Sequence, residues 1–166
     1  MMVTQIKNTI DHILKFLCAI LFLFLVFLNF YQVFMRYIVN NPSTISEDLL
    51  GYTFVWLSLL GTALVFGNND HINVPIFSDK LTGIKKVILQ VFTELLIMII
   101  AIAVFIIGGK IFMDVGAMQS SPTLDITMNW IYAILPISGA LIVIYNVVNI
   151  INAIQNYTRK KEEEVK

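Results

Sequence analysis

Charge is what this chain most lacks. Only 13% of its 166 residues are Asp, Glu, Lys or Arg, about half the share of an ordinary soluble domain. Basic and acidic side chains cancel at 11 each, so no net field draws the chain to nucleic acid or to an acidic substrate. A single cysteine, Cys18, excludes an intramolecular disulfide, and its place inside an apolar run reads as a small packing residue. The two histidines, His12 and His71, fall outside the long apolar runs, so paired axial ligands for a haem between helices are missing. Neither a Ser/His/Asp set nor an HExxH, a CxxC or a glycine-rich phosphate loop can be picked out. These gaps argue against an enzyme and against a resident cofactor or metal.

What is abundant is apolar length. Hydrophobic residues make up 58% of the chain, and the mean hydropathy is +0.82. Four apolar stretches span about residues 13–35, 49–66, 87–109 and 128–151. A bilayer core of about 30 Å needs roughly 20 helical residues to cross it. The expected fold is therefore an all-α integral membrane protein, a single four-helix domain over 1–166 with no room for a separate soluble domain. The first run is too long for the core of a signal peptide and no small-residue cleavage site follows it, so it reads as a retained helix.

Orientation follows from the positive charges. Lys7, Lys15, Lys80, Lys85, Lys86, Arg159, Lys160, Lys161 and Lys166 lie in the two tails and the middle loop, whereas the other two loops hold only Arg36 and Lys110. Both termini are thus expected in the cytoplasm. The loops 36–48 and 110–127 then face outward, into the periplasm for a bacterial inner (cell) membrane.

The connections have their own patterns. Val3, Ile6, Ile10 and Ile13 recur at helical spacing before the first span, as in a short surface helix. Ile72, Ile76, Phe77, Leu81 and Ile84 share one helical face in the middle loop, which predicts an interfacial amphipathic helix over about 73–85. Asn41-Pro42 marks a turn, and Thr44-x-x-Glu47 fits a capping box that starts helix 2 near residue 45. Glu47 and Asp48 then lie in a first helical turn, where the dipole favours negative charge. Arg36 stands ready to pair with one of them and tie helix 1 to helix 2. The same acidic edge can also meet a soluble partner outside the membrane.

Glu94 is the one carboxylate inside an apolar run, with Gln90 and Thr93 on its face. An ionisable residue in a span is a functional candidate by default. Its nearness to Lys86 also suits a contact with headgroups or a partner helix, and a proton or ion relay is the alternative. Ser58, Gly61 and Thr62 give helix 2 a small, polar face of the kind that lets membrane helices approach closely. That face serves packing within the chain or the flank of a larger membrane partner. Pro136 alone interrupts the fourth run, and no pair of broken helices marks a midplane transport site. The chain reads as a helper more than a pump.

Four segments carry a resemblance to a known family. They are Gln32-Val-Phe-Met-Arg-Tyr-Ile-Val-Asn40, the acidic and aromatic run Ser46-Glu-Asp-Leu-Leu-Gly-Tyr-Thr-Phe-Val-Trp56, Asp70-His-Ile-Asn-Val74, and the stretch from Ser121-Pro-Thr-Leu through Trp130 and Tyr132 to Pro136. In this order, over nearly the whole chain, they resemble the DctQ-like small membrane subunit of tripartite ATP-independent periplasmic (TRAP) transporters. Gly51 and Thr127 stand where members often carry Arg and Pro. The resemblance implies a hetero-dimer with a large membrane subunit that carries substrate and its coupling sodium ions. It also implies a periplasmic substrate-binding protein and uptake of an organic acid of the dicarboxylate or sialic acid class. This chain would brace the large subunit within the lipid bilayer, bind no cofactor and meet no nucleic acid. Arg36, Glu47, Asp48, Ser58, Gly61, Thr62 and Glu94 are its candidate partner contacts. A rival reading is a self-contained, homo-oligomeric exporter or channel that uses Glu94.

Overall fold

The computed structural model describes residues 2–67 and 84–164. Most of the interfacial helix expected over 73–85 lies outside the described residues, as does His71. Helix α1 runs Met2–Tyr37 and α2 Thr44–Gly67. Helix α3, Ile84–Ile100, passes into a π-helical stretch, Ala101–Gly108, and then into α4, Gly109–Gly116. A short turn of helix, α5 (Asn129–Tyr132), precedes the long α6, Ile134–Glu164. Four segments are long and apolar enough to cross a membrane: Lys7–Tyr37, Thr44–Gly67, Val87–Gly116 and Asn129–Gln155. The first turns of α1 are continuous with its span, so the amphipathic start is an extension of helix 1. The third span also outruns its sequence reading, because Ile111, Phe112 and Val115 keep an apolar face beyond Gly109. Lys110 consequently lies in helix.

The α1–α2 connection is short and locally determined. Asn40 adopts a left-handed conformation with φ 55°, which Asn tolerates better than most residues. The Asn41 N–H turns back to Met35 O at 3.1 Å, satisfying a carbonyl that the helix end leaves free. The cap of α2 is Ser43, one residue before the expected Thr44. Its Oγ accepts from Ser46 N–H at 3.4 Å, and Ser46 Oγ donates back to Ser43 O at 2.8 Å. Serine and threonine are comparable caps, and Pro42 sets the chain to enter the helix one residue earlier.

The centre of the bundle is α6. Buried residues make up 44% of the most apolar window of the fourth span, against 11–17% for the other three, so the first three spans are arranged around the fourth. It packs against α1, α2, α3 and the π-helical stretch, while α1 lies mainly on α2. One cluster joins Leu14, Leu60, Ile134 and Tyr145; a second joins Ala63, Ala101 and Ile142.

Close approach is made through glycine. A Cβ on Gly139 of α6 would lie 2.6 Å from Phe105 Cβ in the π-helical stretch, and one on Gly109 2.9 Å from Pro136 Cδ. Farther along, Gly116 meets the ring of Tyr132, which also stacks edge-on against Phe112 at 5.9 Å. The helix break at Ala133 belongs to Pro136, which has no N–H to offer Tyr132 O. The neighbouring carbonyl, Ile131 O, is taken instead by Trp56 Nε1 at 3.2 Å. By contrast, a Cβ on Gly61 would meet nothing within 4 Å.

These glycines predict opposite outcomes. Gly139→Ala forces atoms together and should cost about 1–3 kcal/mol, read as a lower thermal midpoint of the detergent-purified chain. Gly61→Ala adds helix propensity in open space and should hold or raise the midpoint, by up to about 1 kcal/mol. Equal effects of the two would show that the α6 contact is not tight.

Candidate functional site

Polar side chains gather at the two ends of the bundle. At the end formed by the 38–43 and 117–128 connections, α2 is tied to the second of these loops. Thr123 Oγ1 donates to Asp48 Oδ2 at 2.6 Å, and Tyr52 OH and Ser121 Oγ are paired at 3.2 Å. The loop is pinned by a bridge between Ser120 and Thr127 and turns through Asp125, with φ 50°. Ser121 is fully buried, while Met118 is 92% exposed and Trp130 70% exposed. The loop thus holds a polar root and presents apolar side chains.

The expected pairing of Arg36 is absent. Among the described residues no ion pair joins it to Glu47 or Asp48. Asp48 uses its carboxylate on Thr123, and Glu47 is exposed in the first turn of α2. Sequence alone gave no sign that a loop some 75 residues away would supply the donor. The contact that fastens this end therefore runs from α2 to the loop before α5, and Arg36 remains exposed.

Ser58, Gly61 and Thr62 lie along an outward-facing part of α2, with Ser58 and Thr62 exposed. Thr62 Oγ1 donates to Ser58 O at 2.8 Å, which satisfies its hydroxyl within the helix and leaves the face smooth.

Glu94 is placed differently from the headgroup or partner contact expected of it. It is fully buried within this chain, 0% exposed, because α3 turns it onto α6. Asn146, with its amide oriented to suit both neighbours, donates Nδ2 to Glu94 Oε2 at 2.7 Å and accepts Met98 N–H at 3.2 Å. One turn on, Asn149 Nδ2 donates to Phe66 O of α2 at 3.3 Å. On the same face of α6, Tyr145 OH donates to Asp11 of α1 at 2.5 Å, and the Tyr145 ring fills the space beside Gly67. All four spans thus meet in one polar layer near the end that carries both termini.

The sequence reading missed Asp11, Tyr145, Asn146 and Asn149 as partners of Glu94 or of each other. A usable signal was present: Asn146 and Asn149 are spaced i, i+3 near the end of one apolar run, and Glu94 lies near the start of another. Among the described residues no group of three His, Cys, Asp or Glu converges in a way that could hold a metal.

Such an arrangement defines a class. It is a four-span membrane protein whose buried polar groups hold its own helices together and whose apolar faces are left for its surroundings. Residues 25–156 match the family described as the DctQ component of tripartite ATP-independent periplasmic transporters, and the chain belongs to that family. It is similar to a protein named as a TRAP transporter small permease in Haemophilus influenzae, 28% identical over 141 residues that cover 85% of this chain and 87% of the relative. It is also similar to the sialic acid TRAP transporter small permease protein SiaQ of Vibrio cholerae, 28% identical over 122 residues, covering 74% of this chain and 70% of that one. The chain is accordingly a transporter permease subunit of the inner membrane and not an enzyme.

Removing the Tyr145 hydroxyl strands a buried carboxylate. Tyr145→Phe should cost about 1–3 kcal/mol, with Asp11→Asn milder because its amide still accepts from the phenol. An unchanged thermal midpoint for Tyr145→Phe would show that the α1–α6 bond contributes nothing.

Proposed function

We propose that this small permease subunit braces a large membrane subunit during sodium-driven uptake of an organic acid delivered by a periplasmic binding protein. Sialic acid is the substrate class we favour, on the likeness to the Vibrio cholerae protein of that printed function. Family membership carries the reading, and the geometry supports it. Asp11, Glu94, Asn146 and Asn149 are buried inside the bundle, so the chain offers a large partner a mostly apolar flank. Phe16, Leu23, Phe27 and Phe30 of α1 are each at least two-thirds exposed. Phe27 and Phe30, with residues on to Ile38, border a shallow apolar groove of about 450 Å³. In a bilayer such faces meet lipid or another helix. The self-contained exporter is not favoured, because its coupling carboxylate, Glu94, is enclosed by α6 and open to no path.

Reconstitution separates the readings. Liposomes holding this chain with its large subunit, given the binding protein and an inward sodium gradient, should take up labelled sialic acid. Omitting either membrane subunit should reduce uptake to background. Uptake by this chain alone, or equal uptake without sodium or binding protein, overturns the proposal; uptake of a dicarboxylate in place of sialic acid overturns the substrate class alone.

The charge distribution supports an orientation with both termini in the cytoplasm. In a Cys18→Ala background, Asn41→Cys and Met118→Cys should react with an impermeant thiol reagent added to intact cells. Gln5→Cys, Lys80→Cys and Thr158→Cys should react only after the membrane is opened. The reverse pattern inverts the topology.

A further inference from the structure

The polar layer leaves two acceptors without a donor. Glu94 Oε1 and Asn149 Oδ1 are buried and have no hydrogen-bond partner. The amide donors of the layer are engaged elsewhere: Asn146 Nδ2 on Glu94 Oε2, Met98 N–H on Asn146 Oδ1 and Asn149 Nδ2 on Phe66 O. The Glu94 and Asn149 side chains are neighbours across the α3–α6 contact. An ionised carboxylate can only accept, and so can an amide oxygen. Two neighbouring buried acceptors without a donor carry the cost of lost hydration.

One proton resolves both deficits. We propose that Glu94 is a neutral carboxylic acid in the folded protein, with its proton on Oε1 and donated to Asn149 Oδ1. The bonds then run without a gap from Phe66 O of α2 to Asn149 of α6, to Glu94 of α3, to Asn146 of α6 and back to Met98 N–H of α3. Lys7 of α1 acts on Glu94 electrostatically and favours its charged form, whereas burial within the span works against that form. An ionised Glu94 would hold its charge at a fully buried point within a span, where a charge is costly. Glu94 is therefore a positioning residue that locks α3 to α6, and not a carboxylate that exchanges an ion.

Infrared spectroscopy tests the proton directly. At neutral pH the intact chain, purified with or without its large subunit, should show the carbonyl stretch of a protonated carboxylic acid. The band should move on labelling with ¹³C-glutamate and vanish in Glu94→Gln. Because the glutamine Nε2–H₂ replaces the acid O–H, that variant should keep its thermal midpoint within about 3 °C of wild type. Asn149→Leu, which leaves the acid without an acceptor, should lose about 10 °C or more. Should Glu94→Gln fail to fold, the labelled wild-type chain still decides: no glutamate-derived acid band means an ionised Glu94 and overturns the proposal. A band that survives in Glu94→Gln belongs to another carboxyl group and overturns it equally.

Discussion

Apolar solvent on all sides removes the force that holds a soluble bundle together. Lipid chains are as hydrophobic as leucine, so burying a leucine between membrane helices gains little. What remains is close packing and the need of every polar group for a partner. Both converge on α6. Gly139 lets it approach the π-helical stretch, Gly109 and Gly116 let α4 approach it and the turn before it, and Gly67 admits its Tyr145 to the end of α2. Its Tyr145, Asn146 and Asn149 then reach α1, α3 and α2 in turn.

The two kinds of contact depend on each other. A hydrogen bond between side chains as short as asparagine and glutamate requires backbones held near, and the glycines hold them near. Conversely, glycine contacts set distance but not register, since a smooth face can slide. Asn146 has its donor and acceptor on one helix, at Glu94 and Met98 N–H, so a slip of α3 by one residue would break both bonds. The register fixed there carries forward along the same helix into the π-helical stretch, where Phe105 meets Gly139.

How much of this was legible in the sequence follows from which signals are additive. The four spans were legible because hydropathy sums over about 20 residues and tolerates local error. The start of α2 was legible to within one residue, since Ser43 and Thr44 offer nearly the same cap and only the geometry after Pro42 separates them. The π-helical stretch left no mark: Ala101–Gly108 is at least as apolar as its neighbours, and what it meets, Gly139 of α6, is on another helix. The important glycines were equally hidden. Gly61 drew attention through its polar neighbours Ser58 and Thr62, yet it faces open space, while Gly67, Gly109, Gly116 and Gly139 sit in plain apolar context. Glu94 was visible but its surroundings were not, because a side chain's partner on another helix is set by rotation about two axes that no single run encodes.

The two ends of the bundle therefore do different work. Near the termini the polar layer joins all four spans. At the opposite end the tie is lighter: Asp48 and Tyr52 hold a loop by its root, while Met118 and Trp130 stand exposed on either side of it. A subunit that braces a moving partner needs the first arrangement, since any give in its own helices would absorb the motion it is there to resist. Under the proposed function the second arrangement suits contact with a soluble protein, because a rooted loop with exposed apolar side chains can present a surface without disturbing the bundle. Glu94, Asn146 and Asn149 lie toward one end of their spans and Asp48 toward the other, with a glycine-packed contact between them.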